Sequence, residues 1–428
     1  MAASFRPDRN APQPFAGSPP GRPVRVAVVA LAALSALSCN RVKDSQATLD
    51  QGETLFGALA TETGKRLHKG NRLTLLEDGS VFPAIEREIR AARSSIHILV
   101  YIWRGEGEPS STIGAAILAR RPGVACRIIV DPFGSLKFDD KLEADLKRSG
   151  CEIHSYDRGP MPEPRARNHR KIVIVDGDRA ITGGFGIWKS WLGQGRKEEE
   201  WRDTAVLAEG PVVEDLQRAF DQNWQEVQKH PLPKEAYPPL SAKGDIPAMF
   251  IATSPKPNQP SAAEAMYRLL VQSAKKRLWI ANSYFIPGEG LQKLMLERKR
   301  AGVDVRVLSP GPVHDVPPVR AAQRATYETL IEGGIRMFEY EPSMMHSKTV
   351  MIDDTYILIG STNMDALSFE HLEEGSLVAR DPALCKQMTE RFERDQKLSK
   401  EITKHLWRNR DTLPEVGRRG ASLFSDSM

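Results

Sequence analysis

The chain has 428 residues, 40% of them hydrophobic and 27% charged, with 60 Lys+Arg against 55 Asp+Glu. This profile suits about two to three soluble domains and excludes a polytopic membrane protein, a collagen-like chain and a largely disordered one. A net charge of only +5 lacks the basic excess of a dedicated nucleic-acid binder, so nucleic acid is not an expected partner.

Residues 1–39 read as a targeting segment. A lead-in rich in Pro and Arg precedes an apolar run from Val26 to Leu37, which follows Arg22 and Arg25 and ends Ala36-Leu37-Ser38-Cys39. Twelve residues cannot span a bilayer core, which needs about 20, so the run suits a secretory signal. Its ending resembles a bacterial lipobox, with Ala36 where Leu is usual. That resemblance makes Cys39 the expected lipid anchor and the bacterial cell envelope the expected location. Residues 40–70 read as a flexible spacer. The remaining cysteines have no CxxC spacing, which argues against a zinc site and a dense disulfide framework. Cys126, in a strand-like run, and Cys385, in a helix-like one, read as buried thiols.

The rest of the chain is written twice. In the first copy (71–228), a helix over Phe82–Arg93 leads into an apolar strand, Ile96–Trp103. A second helix, Ile113–Arg120, leads through Gly123 to the strand Val124–Asp131. In the second copy (248–410), Ala263–Lys275 leads to Leu278–Ile286, and Leu291–Arg300 leads through Gly302 to Val303–Pro310. Helices alternating with β-branched strands predict an α/β fold. Five prolines within residues 229–247 mark the linker between the copies, and 411–428 form a tail.

Both copies close on the same pattern. The first reads His169-Arg170-Lys171, then Asp176, then Gly183-Gly184; the second reads His346-Ser347-Lys348, then Asp353, then Gly360-Ser361, with identical spacing. One such match in a chain with nine histidines is weak; two at matching places of a repeat are not chance. On a strand, His and Lys two residues apart share a face, while Arg170 and Ser347 point away. Asp176 and Asp353 fall at the following turn, where each can brace its hairpin, and they complete the catalytic set. Small residues at the end of the return strand let donors approach an anion.

Two imidazoles and two ammonium groups suit a phosphodiester. The lysines neutralise its oxygens and the charge that develops on attack, the task metal ions perform elsewhere. One histidine attacks phosphorus; the other protonates the leaving alcohol and later deprotonates the incoming hydroxyl. Neither metal nor cofactor is expected.

These residues are the signature of the phospholipase D superfamily, which the chain resembles over nearly everything after residue 70. The second copy is more specifically similar to bacterial cardiolipin synthases through Ser283–Leu291, Ala301–Pro310, the run around His346 and Gly360–Asp365, as is Gly210–Trp224 in the first. The resemblance implies two halves, each a mostly parallel sheet flanked by helices, related by a pseudo-twofold axis with one composite site. A monomer therefore suffices. It implies transfer of a phosphatidyl group between anionic phospholipids such as phosphatidylglycerol at a membrane surface. His169 is then the nucleophile and His346 the acid/base. Ser361 and Asn363 contact phosphate, and Asp203 and Glu374 orient the histidines. Transfer, hydrolysis and cleavage of nucleic acid by the same chemistry remain open. Gly186, Leu367 and Leu372 depart from the synthase pattern, which has Asn, Arg and Asn there. The loop Phe185–Trp201, carrying Trp188 and Trp191, is expected at the rim, holding the lipid head group.

Overall fold

The computed structural model describes residues 48–49, 54–105, 107–156, 167–256 and 259–408. Cys39, the rest of the expected targeting segment and the tail 411–428 lie outside the described residues. Among the described residues no helix is long and apolar enough to cross a membrane.

The first half runs α1 (Leu55–Thr63), β1 (His68–Glu77), α2 (Val81–Ala91), β2 (Ser95–Val100), α3 (Ser110–Leu118), β3 (Ala125–Val130), α4 (Asp140–Arg148), β4 (Glu152–Ser155), β5 (Ile172–Val175), β6 (Arg179–Gly183), β7 (Trp201–Arg202), β8 (Thr204–Glu209) and α5 (Val213–Gln228). The second runs β9 (Ile246–Thr253), α6 (Ala262–Ser273), β10 (Arg277–Asn282), α7 (Glu289–Arg300), β11 (Asp304–Pro310), α8 (Pro317–Ala325), α9 (Tyr327–Glu332), β12 (Arg336–Tyr340), β13 (Met344–Met345), β14 (Lys348–Ile352), β15 (Tyr356–Gly360), α10 (Ala366–Glu370), β16 (Glu374–Arg380), α11 (Pro382–Gln396), β17 (Ser399–Glu401) and α12 (Lys404–Arg408). Every helix and strand read from the repeat is present, with ends shifted by a few residues. The cause is visible in α2: Val81, Phe82, Ile85 and Ile89 fall on one buried stripe at helical spacing.

Fifteen strands form one sheet, ordered β17-β12-β11-β10-β14-β15-β16-β9-β1-β8-β6-β5-β2-β3-β4. The expected α/β class holds; within this sheet the described parallel pairs are β2–β3–β4 and β10–β11–β12, and β7 and β13 pair in parallel outside it. The motif hairpins β5–β6 and β14–β15 lie antiparallel beside them. At the middle, β1 pairs with β8 of its own half and β9 of the other. There β6 also packs against β15 and β16. Leu99, Ile172 and Phe220 of the first half share one apolar core with Phe250, Met351 and Leu377 of the second.

Two expectations need correction. Residues 54–70 are not a spacer: Leu55, Phe56, Ala58 and Leu59 of α1 bury themselves against Met266, Leu269 and Leu270 of α6, in the other half. Nine residues give too short a period to be conspicuous, and their partner lies some 200 residues on. Cys126 is not a thiol: it forms a disulfide with Cys151. The parallel β3–β4 register sets Arg127 opposite Glu152, which brings the two preceding cysteines to a Cα separation of 4.6 Å. Cys385 remains a buried thiol. The linker is laid along the first half, with Leu232 and Ala236 buried and Asp221 accepting from the Leu232 N–H and the Tyr237 hydroxyl.

A bridge across 25 residues is worth about 3 kcal/mol through the unfolded chain. Reductant should therefore lower the thermal midpoint of the wild type but not that of a Cys126→Ser/Cys151→Ser variant, which starts lower. Equal midpoints for all samples in a thermal-shift assay would show that the bridge adds nothing.

Candidate active site

His169 and Lys171 lie on the segment that leads into β5, and His346 on the one that leads into β14, whose first residue is Lys348. Each approach segment is pinned to the opposite half by its backbone. His169 N–H donates to Glu373 O (2.8 Å) and Glu373 N–H to Arg167 O (2.9 Å); His346 N–H donates to Arg202 O (2.7 Å). Two-residue strand β13 pairs with β7 in the same way. The two motifs thus meet across the pseudo-twofold.

The side chains cross as well. His169 Nδ1 lies 2.9 Å from Glu374 Oε1, and His346 Nδ1 lies 2.9 Å from Asp203 Oδ2. Each histidine is held by the carboxylate of the other copy. A carboxylate only accepts, so Nδ1 carries the proton in both rings and Nε2 is the nitrogen left for chemistry. Both imidazoles are buried, which pushes each down to about 4 against the pull of its carboxylate; Lys348 adds to the fall in both. They are neutral at pH 7. Asp203 stays below the usual carboxylate range: burial opposes this, but the His346 contact, Lys348 and Trp191 overcome it.

The lysines share the same space. Lys171 Nζ donates to His169 O, and Lys348 Nζ to His346 O, each at 2.6 Å. Burial holds Lys171 well below its ordinary value, and Lys348 repels it further while Glu374 opposes. Burial brings Lys348 down to about 8, with Asp203 and Glu374 resisting. Two buried lysines that sense each other's charge offer paired donors to an anion, whose own charge would favour their ammonium forms.

The other expected residues divide. Asn363 is in the site, its Oδ1 accepting from Ser283 Oγ at 2.7 Å, which leaves its amide nitrogen as donor. Ser361 is not placed to bind phosphate: its hydroxyl donates to Glu374 Oε2, so it braces the carboxylate that holds His169. Asp176 and Asp353 do not join the catalytic set. Five residues beyond each lysine, at about 3.3 Å per residue, puts them roughly 16 Å along the strand. Asp176 accepts from the N–H groups of Arg93, Ser94 and Ser95, and Asp353 from those of Lys275, Lys276 and Arg277. They tie each hairpin to the entry of β2 or β10.

The loop 185–201 is also different from its expectation. Trp191 is buried, with its Nε1–H donating to Asp203 Oδ2 at 2.7 Å and its ring edge-on to His346 at 5.2 Å. It faces the carboxylate rather than a lipid. Trp201 lies 5.0 Å from the same imidazole, and half-buried Trp188 packs on Trp191 and Trp201. Gly186 now has a reason: a Cβ there would come within 3.0 Å of Ile102 and of the Trp191 ring. At Leu367 and Leu372 the structure shows no substitute for the expected polar groups.

Sequence reading missed the residues that weld the halves. Arg170 is fully buried, donating to Glu374 O (3.2 Å), Asn223 Oδ1 (2.8 Å) and Thr253 O (2.9 Å), with Glu373 at 3.5 Å. In the other half-interface Arg202 takes this part, donating to Asp395 Oδ2 (2.6 Å) and Ser347 Oγ (3.0 Å). The signal was present: the residue between His and Lys must point away from the site, and an arginine there needs buried acceptors.

The family model described as "Cardiolipin synthase, PLD-like domain" matches residues 85–224 and 267–396, one stretch in each half. The chain belongs to the phospholipase D superfamily. Cardiolipin synthase A of Pseudomonas entomophila is 32% identical over 361 residues, 83% of this chain and 74% of that protein. Cardiolipin synthase 1 of Bacillus cereus is 31% identical over 360 residues, 80% and 70% of the two chains. Among solved structures, phosphatidylserine synthase from Haemophilus influenzae has a TM-score of 0.62 at 16% identity, covering 83% of this chain and 92% of its own, a likeness of fold. This phospholipase D-like chain therefore carries its family's motif twice, folded into one site.

Two outcomes follow from the geometry. In the free protein, kcat/KM should fall above about pH 8 as Lys348 loses its proton, and Lys348→Arg should move that limb to higher pH, since arginine stays charged. A wild-type profile flat to pH 10 would contradict this. Trp191→Phe keeps a ring but deletes the donor to Asp203; a hydrogen bond to a charged group is worth about 1.5–3 kcal/mol, so kcat should drop at least about 10-fold. Unchanged kcat would mean that Trp191 only fills space.

Proposed function

We propose that the chain is a phosphatidyltransferase that makes cardiolipin from phosphatidylglycerol through a covalent phosphohistidine. The observation that carries this is the crossed pairing of His169 with Glu374 and His346 with Asp203, each freeing one Nε2 beside two buried lysine side chains. The lipid is read from the named relatives.

In the proposed sequence, the phosphodiester of one lipid displaces the lysines' internal contacts and lies between Lys171 and Lys348, with Asn363 donating to it. Its negative charge raises the imidazoles from their depressed values, so His346 takes up a proton. His169 Nε2 attacks phosphorus; the bond to the glycerol oxygen breaks, and that oxygen takes the proton from His346 Nε2. The hydroxyl of a second phosphatidylglycerol then gives its proton to His346 and attacks phosphorus, releasing His169. The Asp203 contact stabilises the imidazolium while it exists. Closure of the site against water favours the alcohol over hydrolysis.

The proposed setting is the outer side of the cytoplasmic membrane, with Cys39 as lipid anchor. The lipobox-like ending supports this, and so does the Cys126–Cys151 disulfide, since such bonds persist in oxidising compartments.

Full chain with phosphatidylglycerol vesicles should yield cardiolipin and free glycerol, and His169→Ala and His346→Ala should each lower the rate at least about 10³-fold. Wild type quenched in alkaline denaturant, where the P–N bond survives, should carry phosphatidyl label on His169. The rate should persist in chelator. Phosphatidic acid as the sole lipid product would replace the transferase by a hydrolase, and near-full activity in either variant would refute the composite site.

A further inference from the structure

A second polar group stands within electrostatic reach of His346 and takes no part in the chemistry above. The chain leaving β10 is fixed by the site itself: Ser283 Oγ donates to Asn363, and Phe285 bridges to Met364. Tyr284, between them and half-buried, donates its hydroxyl proton to Asp315 Oδ2 at 2.7 Å, and its ring stacks on His314 at 5.6 Å.

Among the described residues no donor reaches the far oxygen of Asp315. His314 Nδ1, 3.3 Å from Oδ1, already accepts from the Val316 N–H (2.9 Å), so it carries no proton to give. Helix α8 starts two residues later, where an acid usually takes the free N–H groups of the first turn. Here that turn opens Pro317-Pro318, which have none, and no side chain caps it. The Asp315 side chain keeps a quarter of its surface open. Asp315 Oδ1 and the lone pairs of the Tyr284 oxygen are therefore two acceptors with no donor among the described residues.

The location is set by charge. Burial is the largest influence lowering His346 and Lys348, and Asp315 is among the carboxylates that pull both back. A carboxylate this near an anion site repels an anionic group placed directly against it. An ammonium-bearing alcohol would in turn meet Lys348 and Lys171. A neutral molecule with several hydroxyl donors satisfies both constraints.

We propose that Tyr284 and Asp315 form the subsite for the hydroxyls of a neutral polyol, the alcohol that leaves or enters beside His346. This rests on the phosphatidyltransferase reading. The subsite holds the glycerol end of the departing or arriving lipid so that one hydroxyl reaches Nε2 of His346 while another is bound by the carboxylate.

The test uses full chain with phosphatidylglycerol vesicles, scoring cardiolipin against phosphatidic acid, with free glycerol or free ethanolamine as competing acceptor. If the wild type makes no cardiolipin, the transferase reading fails and the inference falls with it. Given cardiolipin in the wild type, Asp315→Asn and Tyr284→Phe should each lower the cardiolipin-to-phosphatidic acid ratio at least tenfold, and glycerol should compete less well in both. An unchanged ratio, including parallel loss of both products, would overturn the subsite. So would a wild type that accepts ethanolamine better than glycerol and loses only ethanolamine transfer in Asp315→Asn, since that describes a site for cations.

Discussion

A buried imidazole needs a partner that fixes its tautomer. His169 finds its carboxylate 205 residues away along the chain, and His346 finds one 143 residues away. Neither half can orient its own histidine. The exchange demands that two approach segments lie against each other within hydrogen-bond tolerance, and much of the interface is built to that end. The shared core of both halves, the β1–β9 junction and the backbone bonds at Glu373 and Arg202 fix the register. Arg170 and Arg202 then lock it from behind. Truncating one member of a buried ion pair costs about 3–5 kcal/mol, so the interface resists slipping at the positions where a shift would separate histidine from carboxylate.

The wiring of the two histidines is equivalent but not identical. Glu374 is braced by the hydroxyls of Ser361 and Ser368; Asp203 is braced by the Trp191 indole and the Thr204 N–H. Gly184 stands where the second copy has Ser361, and a Cβ there would meet Asp203 at 2.4 Å. The shorter acid sits closer to its strand, the hydroxyl is excluded, and an indole N–H from the following loop takes its place. Duplicated motifs have thus diverged in how they hold the same ring, which is the raw material for giving one histidine the nucleophile's role and the other the proton's.

Much of this was legible in the sequence, and the limits have physical causes. The alternation of helices and strands and the two motifs repeat at fixed spacing, and local periodicity reports local structure. Asp203 and Glu374 were legible only through resemblance, and their crossing was not legible at all, because nothing in a linear pattern says which copy's acid meets which copy's base. Trp191 looked like an interfacial aromatic because a tryptophan among lysines and arginines has that character; its indole N–H found a buried carboxylate instead. Gly186 appeared as a departure from the synthase pattern and is the space in which that indole packs. The Cys126–Cys151 bond depends on a parallel register between β3 and β4, which no count of cysteines contains. The apolar face of α1 is real in the sequence, but its partner is α6, a whole domain later.

That last contact bears on how the molecule comes into being. Helix α1 and strand β1 are made first and completed last: Leu55, Phe56 and Leu59 have no surface to cover them until α6 has been synthesised, and one edge of β1 stays open until β9 arrives. Contacts of such high sequence separation close slowly. An N-terminal portion emerging alone presents an apolar stripe and an unpaired strand edge, the features that holding chaperones bind and that keep a chain unfolded. For a protein whose first residues resemble an export signal, a nascent chain that cannot finish folding until its second half exists stays threadable for the whole of its synthesis.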